Sequence, residues 1–320
     1  MRIISVLNDK GGVGKTIVSS LLSDAALLLK KRVLVIDLDP QATLSRERLA
    51  RYGLLRDEDS VITPDDPSLA DYLVDRGDPM DYVMGLAQHP LAPEKLESAE
   101  DYRLAVMWPG YHLTDTIERL SQVQLREAYE DIELWLEKSR QDDRWDYCII
   151  DNPPNRGGLS KRLALRSDIV VLPAMPEPGS YEATARTIQT IGTVPMLVVP
   201  NRYDGRIKTH KEYLDQLVAL RIPGLVSIGT TIPSSPLFLS EQAQGIPTLM
   251  YHINRPPIRA THDMIVKALD LKGKSWFQTA LRAAHTEYQP EMMKFNQKRT
   301  ESVVRRAREA AAAPHLSPRN

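Results

Sequence analysis

Residues 8–16, Asn-Asp-Lys-Gly-Gly-Val-Gly-Lys-Thr, constrain the fold of this chain more than any other stretch. They follow a short apolar run, Arg2-Ile-Ile-Ser-Val-Leu7, that predicts a strand, and they open a run from Ile17 to Lys31 with helical spacing. Strand, glycine loop, helix is the local order that a phosphate-binding loop requires. Lacking a Cβ, Gly11, Gly12 and Gly14 can turn backbone N–H groups inward as a concave nest for an anion. The positive end of the following helix adds to that field. In such a loop Lys15 reaches the β and γ phosphates, and the Thr16 hydroxyl takes one position on Mg²⁺. The nucleotide-contacting stretch is then Gly11, Gly12, Val13, Gly14, Lys15, Thr16 and Ile17. The competing reading, a glycine-rich turn with two solvated lysines, leaves the flanking strand and helix unexplained.

Two details narrow the choice. Asp9 stands where the general pattern has its first glycine, and a second lysine, Lys10, sits at the mouth of the loop. Lys-Gly-Gly-x-Gly-Lys-Thr resembles the deviant Walker A motif of the ParA/MinD ATPase family. The resemblance implies ATP and Mg²⁺ as cofactors. It also implies an ATP-bound sandwich homodimer in which Lys10 crosses to the partner's phosphates and so counts, with Lys15, among the catalytic groups. The nitrogenase iron protein shares the motif but bridges its dimer with a cysteine-bound cluster. The single cysteine here, Cys148, lies in an apolar strand and excludes such a cluster, a cysteine zinc site and an internal disulfide.

The 320 residues fit one large α/β domain with an appendage. A formal net charge of −1 gives no bulk attraction to nucleic acid, so any such binding needs a local patch. The early phosphate loop leaves no room for a signal peptide, and no apolar run approaches the roughly 20 residues that span a bilayer. The expected location is therefore cytoplasmic, and nucleoid-associated by the resemblance, with no stable membrane insertion.

Leu22, Ala25, Ala26 and Leu29 predict a first helix with one apolar face on a sheet. Val33-Leu-Val-Ile-Asp-Leu-Asp-Pro40 reads as a buried parallel strand stopped by proline. Asp66-Pro67 predicts an N-cap and first helical residue, residues 77–100 a loop with at most one helix, 103–108 a strand, and 115–138 a helical stretch. Strands near 145–151, 168–173, 194–199 and 225–229 alternate with helices near 159–166, 180–191 and 209–220, and helices near 258–271 and 275–284 follow. The alternation predicts a doubly wound, mostly parallel sheet with helices on both faces, the P-loop NTPase class. The expected division is an ATPase domain over 1–285 and a basic, partly helical or disordered tail over 286–320.

In open α/β sheets ligands sit beyond the carboxyl ends of the strands, which directs attention to the acids there. Asp37 and Asp39 lie at one such end, and the strand period points both to one face. Asp37-Leu-Asp-Pro-Gln41 is similar to the second ParA motif. That likeness makes Asp39 the residue that orients attacking water and Asp37 a support of the Mg²⁺ shell, against the reading of either acid as a helix cap. Asp151 ends its strand where a Walker B carboxylate holds Mg²⁺, and Asp151-Asn-Pro-Pro154 resembles the family segment that shifts between nucleotide states. Asn152 and Asn155 are assigned no role. Asn201 ends another strand, where an amide can pair with a base edge; an ordinary turn residue is the other reading. By resemblance, Asn201 and Ile232-Pro233 flank the purine.

Arg202, Arg206, Lys208 and Lys211 form a basic cluster. Tyr203-Asp-Gly-Arg206 resembles the family segment whose arginine contacts DNA backbone, although the arginines that often follow the Ile-Pro are missing from Ser234-Ser-Pro-Leu-Phe238. A solvated helix face is the alternative. Leu239 to Pro247 is similar to the family's Leu-Ser-Glu-Ala helix and turn. The resemblance as a whole implies a partition ATPase of the small, non-repressor kind. Its expected partners are nonspecific DNA and a ParB-like or other cargo adaptor that stimulates slow basal hydrolysis. A MinD-like ATPase cycling on membrane and a P-loop amidoligase or synthetase are the rivals.

Overall fold

Apolar runs bounded by turns become strands buried on both faces. The computed structural model describes residues 1–49, 62–85, 103–154, 158–240, 249 and 254–287. Its strands are β1 (Arg2–Val6), β2 (Val33–Asp37), β3 (Met84–Gly85), β4 (Leu104–Met107), β5 (Tyr147–Asp151), β6 (Ile169–Ala174), β7 (Met196–Pro200) and β8 (Val226–Ile228). They form one sheet in the order β3-β4-β2-β5-β1-β6-β7-β8. Every pairing is parallel except β3 with β4. This is the doubly wound, mostly parallel sheet expected of a P-loop NTPase, and it fixes the site through its register. Asp151 pairs with Val6 on one side and with Asp37 on the other, so three strand ends finish in one row.

The helices are α1 (Lys15–Leu28), α2 (Leu69–Asp75), α3 (Leu113–Arg119), α4 (Gln122–Gln141), α5 (Gly158–Leu165), α6 (Ser180–Thr190), α7 (Lys208–Ala219) and α8 (Leu237–Ser240). A helix over Pro256–Ala268 and another over 274–287 close the described chain. Alternate strand residues face opposite cores. Val33, Val35 and Ile149 pack with α1, Ile258, Ile265 and Phe277. Leu34, Ile36, Cys148 and Ile150 pack with Leu69, Ala128 and Leu163. Cys148 is thus a small core residue, and burial pushes its thiol pKa up.

Several local expectations need correction. α1 does not present one apolar stripe: it is buried from Val18 to Leu28, because the C-terminal helices cover the side that the sheet does not. Ser68, not Asp66, caps α2, since Ser68 and Asp71 form a reciprocal capping box, while Asp66 accepts from the Thr63 amide at 2.6 Å. The stretch 115–138 is two helices, divided where a second capping box, Ser121 with Gln124, restarts the chain as α4. Within 77–100, Pro79–Tyr82 is a 3₁₀ turn and Met84–Gly85 adds an edge strand; 86–102 lie outside the described residues. The tail beyond 287, Asn155 and most of Leu239 to Pro247 also lie outside them.

Candidate nucleotide and metal site

The phosphate loop joins β1 to α1 at the carboxyl edge of the sheet. Gly12 and Gly14 hold φ of 74° and 98°, in the left-handed region where a side chain is strained. Gly14 is the N-cap of α1, which leaves the first helical N–H groups directed into the loop. Gly11 has an ordinary neighbour instead: a Cβ there would meet Pro154 at 4.0 Å. Lys15, the first residue of α1, is buried and folds its ammonium back onto the Lys10 carbonyl at 3.0 Å. Burial lowers its pKa, opposed by the charges of Asp151, Asp39 and Asp9. Thr16 and Ile17, the next two residues of α1, are half-buried, and Val13 is fully buried.

Beneath the loop, two carboxylates share the row of strand ends. Asp37 accepts from the Ser45 amide at 2.9 Å, the Ser45 hydroxyl at 2.5 Å and the Asp39 amide at 3.1 Å. Asp151 accepts from the Ser19 hydroxyl at 2.8 Å through Oδ1, and its buried Oδ2 has no hydrogen-bond partner. Burial raises the pKa of both, and the charge of Asp37 raises that of Asp151 further. Two buried acids side by side with one orphaned oxygen, a threonine hydroxyl close by and a lysine above them fit a hard divalent cation arriving with phosphate oxygens. Among the described residues no cluster of three or more His, Cys, Asp or Glu could hold a metal ion unaided, so the remaining ligands must come from nucleotide and water.

Asp37 and Asp39 do not share a face. β2 ends at Asp37, the period of two ends with it, and Asp39 sits in the turn, half-exposed, with Oδ1 accepting from the Gln41 amide at 3.0 Å. Asp39 therefore has a carboxylate oxygen available to a water on the loop side, while Asp37 is committed to its inner shell. Ser45 belongs to a π-helical turn, Thr43–Leu49, immediately after that motif.

Lys10 is held within its own chain. Its ammonium donates to the Pro178 carbonyl at 2.7 Å and pairs with Glu177 at 2.8 Å, on the turn between β6 and α6. On the base side, a cavity of about 390 Å³ is lined by Ile17, Val18, Asn201, Ile232 and Pro233. Asn201 lines it, but its side-chain amide donates to the Val13 carbonyl at 2.8 Å, and its Oδ1 accepts from the Arg202 amide at 2.9 Å. The amide that the sequence assigned to the base edge is engaged with the phosphate loop and its own backbone.

Of the basic cluster, Arg202 lines the base-side cavity beside Asn201, and Arg206, Lys208 and Lys211 lie at the turn into α7 and in its first turn. Arg206 is exposed and doubly bonded to Asp204, at 3.0 and 2.6 Å, and Lys208 lies 3.7 Å from Glu212. Arg202 has φ of 53°, and Lys211 is exposed. Four residues of the site escaped sequence reasoning: Asn8, Ser19, Ser45 and Glu177. Asn8 is fully buried and donates to the Pro173 carbonyl and the Thr184 hydroxyl, while its Oδ1 accepts from the Lys10 amide. Only Asn8 carried a signal, as the first residue of the motif. The others are near their partners in space and not in sequence.

The family model AAA_31, described as an AAA domain, matches residues 1–200. The sporulation initiation inhibitor protein Soj of Bacillus subtilis is 31% identical over 197 residues, 60% of this chain and 66% of that protein, a little under two thirds of its length. The virulence plasmid ParA family protein pGP5-D of Chlamydia psittaci is 28% identical, over 67% of this chain and 74% of its own. The fold is similar to that of a single-residue variant of Cyanothece McdA in complex with ATP, with a TM-score of 0.65 and 22% identity over 85% of this chain and 98% of that one.

Proposed function

Since the chain belongs to the AAA_31 family of AAA domains, as a ParA-type member, we propose that it is an ATPase that partitions DNA or another cargo. In this reading ATP closes two copies face to face, the dimer binds DNA without sequence preference on the nucleoid, and a ParB-like or other cargo adaptor stimulates hydrolysis. The ATPase domain is taken as 1–285. The observation that carries the reading is the shared row of strand ends, where the orphaned Asp151 oxygen and buried Asp37 lie beneath Lys15 and the glycine loop.

Each residue has a physical task. The loop amides of Gly11 to Thr16 cradle phosphate oxygens, and Lys15 exchanges the Lys10 carbonyl for the β and γ phosphates. Thr16 and Asp151, supported by Asp37, hold Mg²⁺. Bound MgATP would supply the phosphoanhydride and a divalent charge. Asp39 orients water, and its half-exposed place in the turn lets a water approach. Ile17, Asn201, Ile232 and Pro233 enclose the purine. Lys10 must leave Glu177 and Pro178 to reach a partner's phosphates. Arg202, Arg206, Lys208 and Lys211 contact DNA phosphates.

Co-sedimentation with DNA and with liposomes, using wild-type protein and Asp39→Ala with ATP or ADP, tests the reading. Retention on DNA with ATP alone, prolonged in Asp39→Ala, is expected. Retention on liposomes and not on DNA would replace it with a membrane-cycling ATPase. Retention on neither, with rapid turnover of a small acid, would replace it with a ligase.

A further inference from the structure

The phosphate loop is fastened by two buried asparagines, both toward the β6–β7 flank of the sheet. Asn8, at its start, reaches β6 through the Pro173 carbonyl at 2.8 Å and α6 through the Thr184 hydroxyl at 3.1 Å. Asn201, just past the end of β7, reaches back over 188 residues to the Val13 carbonyl at 2.8 Å. Its own backbone is fixed as well, with the Asn201 amide on Ala174 O at 2.7 Å and Ile232 N on Pro200 O at 2.7 Å. The fit on the loop is tight: a Cβ built on Gly14 would run into the Asn201 amide nitrogen.

We infer that Asn201 is a positioning residue for the phosphate loop and not a reader of the base. One of its Nδ2 hydrogens and one side of its Oδ1 are already engaged, on Val13 and Arg202. Asn201 lines the purine cavity, and a base could use only the hydrogen and the side of Oδ1 that remain; the bonds it already makes go to the loop and to the next backbone amide. Through Asn201 the left-handed backbone at Gly14 is set before nucleotide arrives, so the loop N–H groups need not be ordered on binding. The clamp also joins the two ends of the nucleotide, because Ile232 hangs on the same strand end and forms the floor of the purine cavity.

This inference rests on the reading of residues 8–16 as a nucleotide loop, and its test separates the two. Asn201→Leu keeps the side-chain volume and removes the donor. In the nucleotide-free protein, amide hydrogen exchange over residues 9–16 is expected to quicken in Asn201→Leu, with the exchange of β5 unchanged and the thermal midpoint lowered by a few degrees through the unmet Val13 carbonyl. Binding of ATP, GTP and inorganic tripolyphosphate, each with Mg²⁺, is expected to weaken by a common factor of about tenfold, because the loosened loop must then be ordered on binding. Loss of ATP affinity with tripolyphosphate unaffected, or a changed ratio of ATP to GTP, would overturn the clamp in favour of base reading. Unchanged loop exchange would overturn it outright. Asn201→Ser, smaller and unable to reach Val13, should repeat the Leu result if the lost donor is the cause; if Ser binds like wild type, the Leu effect was steric and the clamp falls. Wild-type protein that binds none of the three probes would sink the nucleotide reading, while the exchange measurement still decides the clamp.

Discussion

Asp37 and Asp151 are adjacent acids that water does not reach, and that sets what the nucleotide-free protein does with protons. Burial raises both pKa values from 3.8, helped by the charge of Asp39 at Asp37 and that of Asp37 at Asp151, to about 6 for Asp37 and about 8 for Asp151. The folded state then binds protons more tightly than the unfolded chain, so stability is greatest below the ordinary carboxylate value and declines as pH rises through the raised ones. Thermal unfolding of nucleotide-free protein should show a midpoint that falls from about pH 4 to about pH 8, and Asp151→Asn should flatten the fall. Calorimetry of MgATP binding near neutral pH, in buffers of different ionisation enthalpy, should report release of about one proton, lost in Asp151→Asn. Asp39 differs from them in place: it is half-exposed, in the turn after β2. Asp39→Ala should bind ATP as wild type does and hydrolyse it about 10²-fold or more slowly, measured as phosphate release in single turnover. The two roles were legible as residue types at strand ends. The resemblance divided them; the difference in exposure was not legible, because the sequence does not say where β2 stops, and a strand ending at Asp37 sends the next two residues into a turn.

At the scale of elements, α7 is an exposed helix, which buries only Leu217 and presents its first turn beside the turn that carries Arg206. Exposure and a positive helix terminus suit phosphate contact, but two of the cations already hold carboxylates: Arg206 on Asp204, Lys208 near Glu212. DNA must displace those acids or share their cations, which weakens each contact. With about five phosphates engaged, log affinity against log salt should fall with a slope near −4 to −5. Arg206→Ala should reduce that slope by about 1 without altering preference among sequences, as fluorescence anisotropy over a salt series would show. Asp204→Asn should tighten binding. Strand and helix alternation was readable wherever apolar runs were continuous, which is why β1, β2, β5, β6 and β7 fall where the patterns place them. It failed where side chains compete for backbone N–H groups. Ser68 and Ser121 each start a helix by a reciprocal box whose partner lies three residues on, and the proline at 67 masked the first of these. All-round burial of α1 was also hidden, since the helices that cover its outer side come from residues beyond 255.

For the whole molecule, the proposed ATP-bound dimer raises the question of what holds Lys10 before ATP is bound. Lys10 is occupied in cis by Glu177 and Pro178, with side-chain exposures of 27% and 39% for the ion pair. A pair so open to water contributes little to stability, so it acts as a weak hold that a triphosphate overcomes, and not as a lock. Removing the carboxylate alone should lower the cost of freeing Lys10 without touching the phosphate loop. Glu177→Gln is therefore expected to dimerise at lower ATP concentration than wild type, by a few-fold, in analytical ultracentrifugation over an ATP series. Lys10→Ala should remain monomeric at saturating ATP while still binding nucleotide through Lys15. If Glu177→Gln instead abolished the dimer, the carboxylate would be orienting Lys10 toward the partner's phosphates and not restraining it. The salt response distinguishes these outcomes further: screening weakens the cis pair, so in wild type moderate salt should favour the dimer until it also screens Lys10 from the phosphates, and in Glu177→Gln only the second effect should remain.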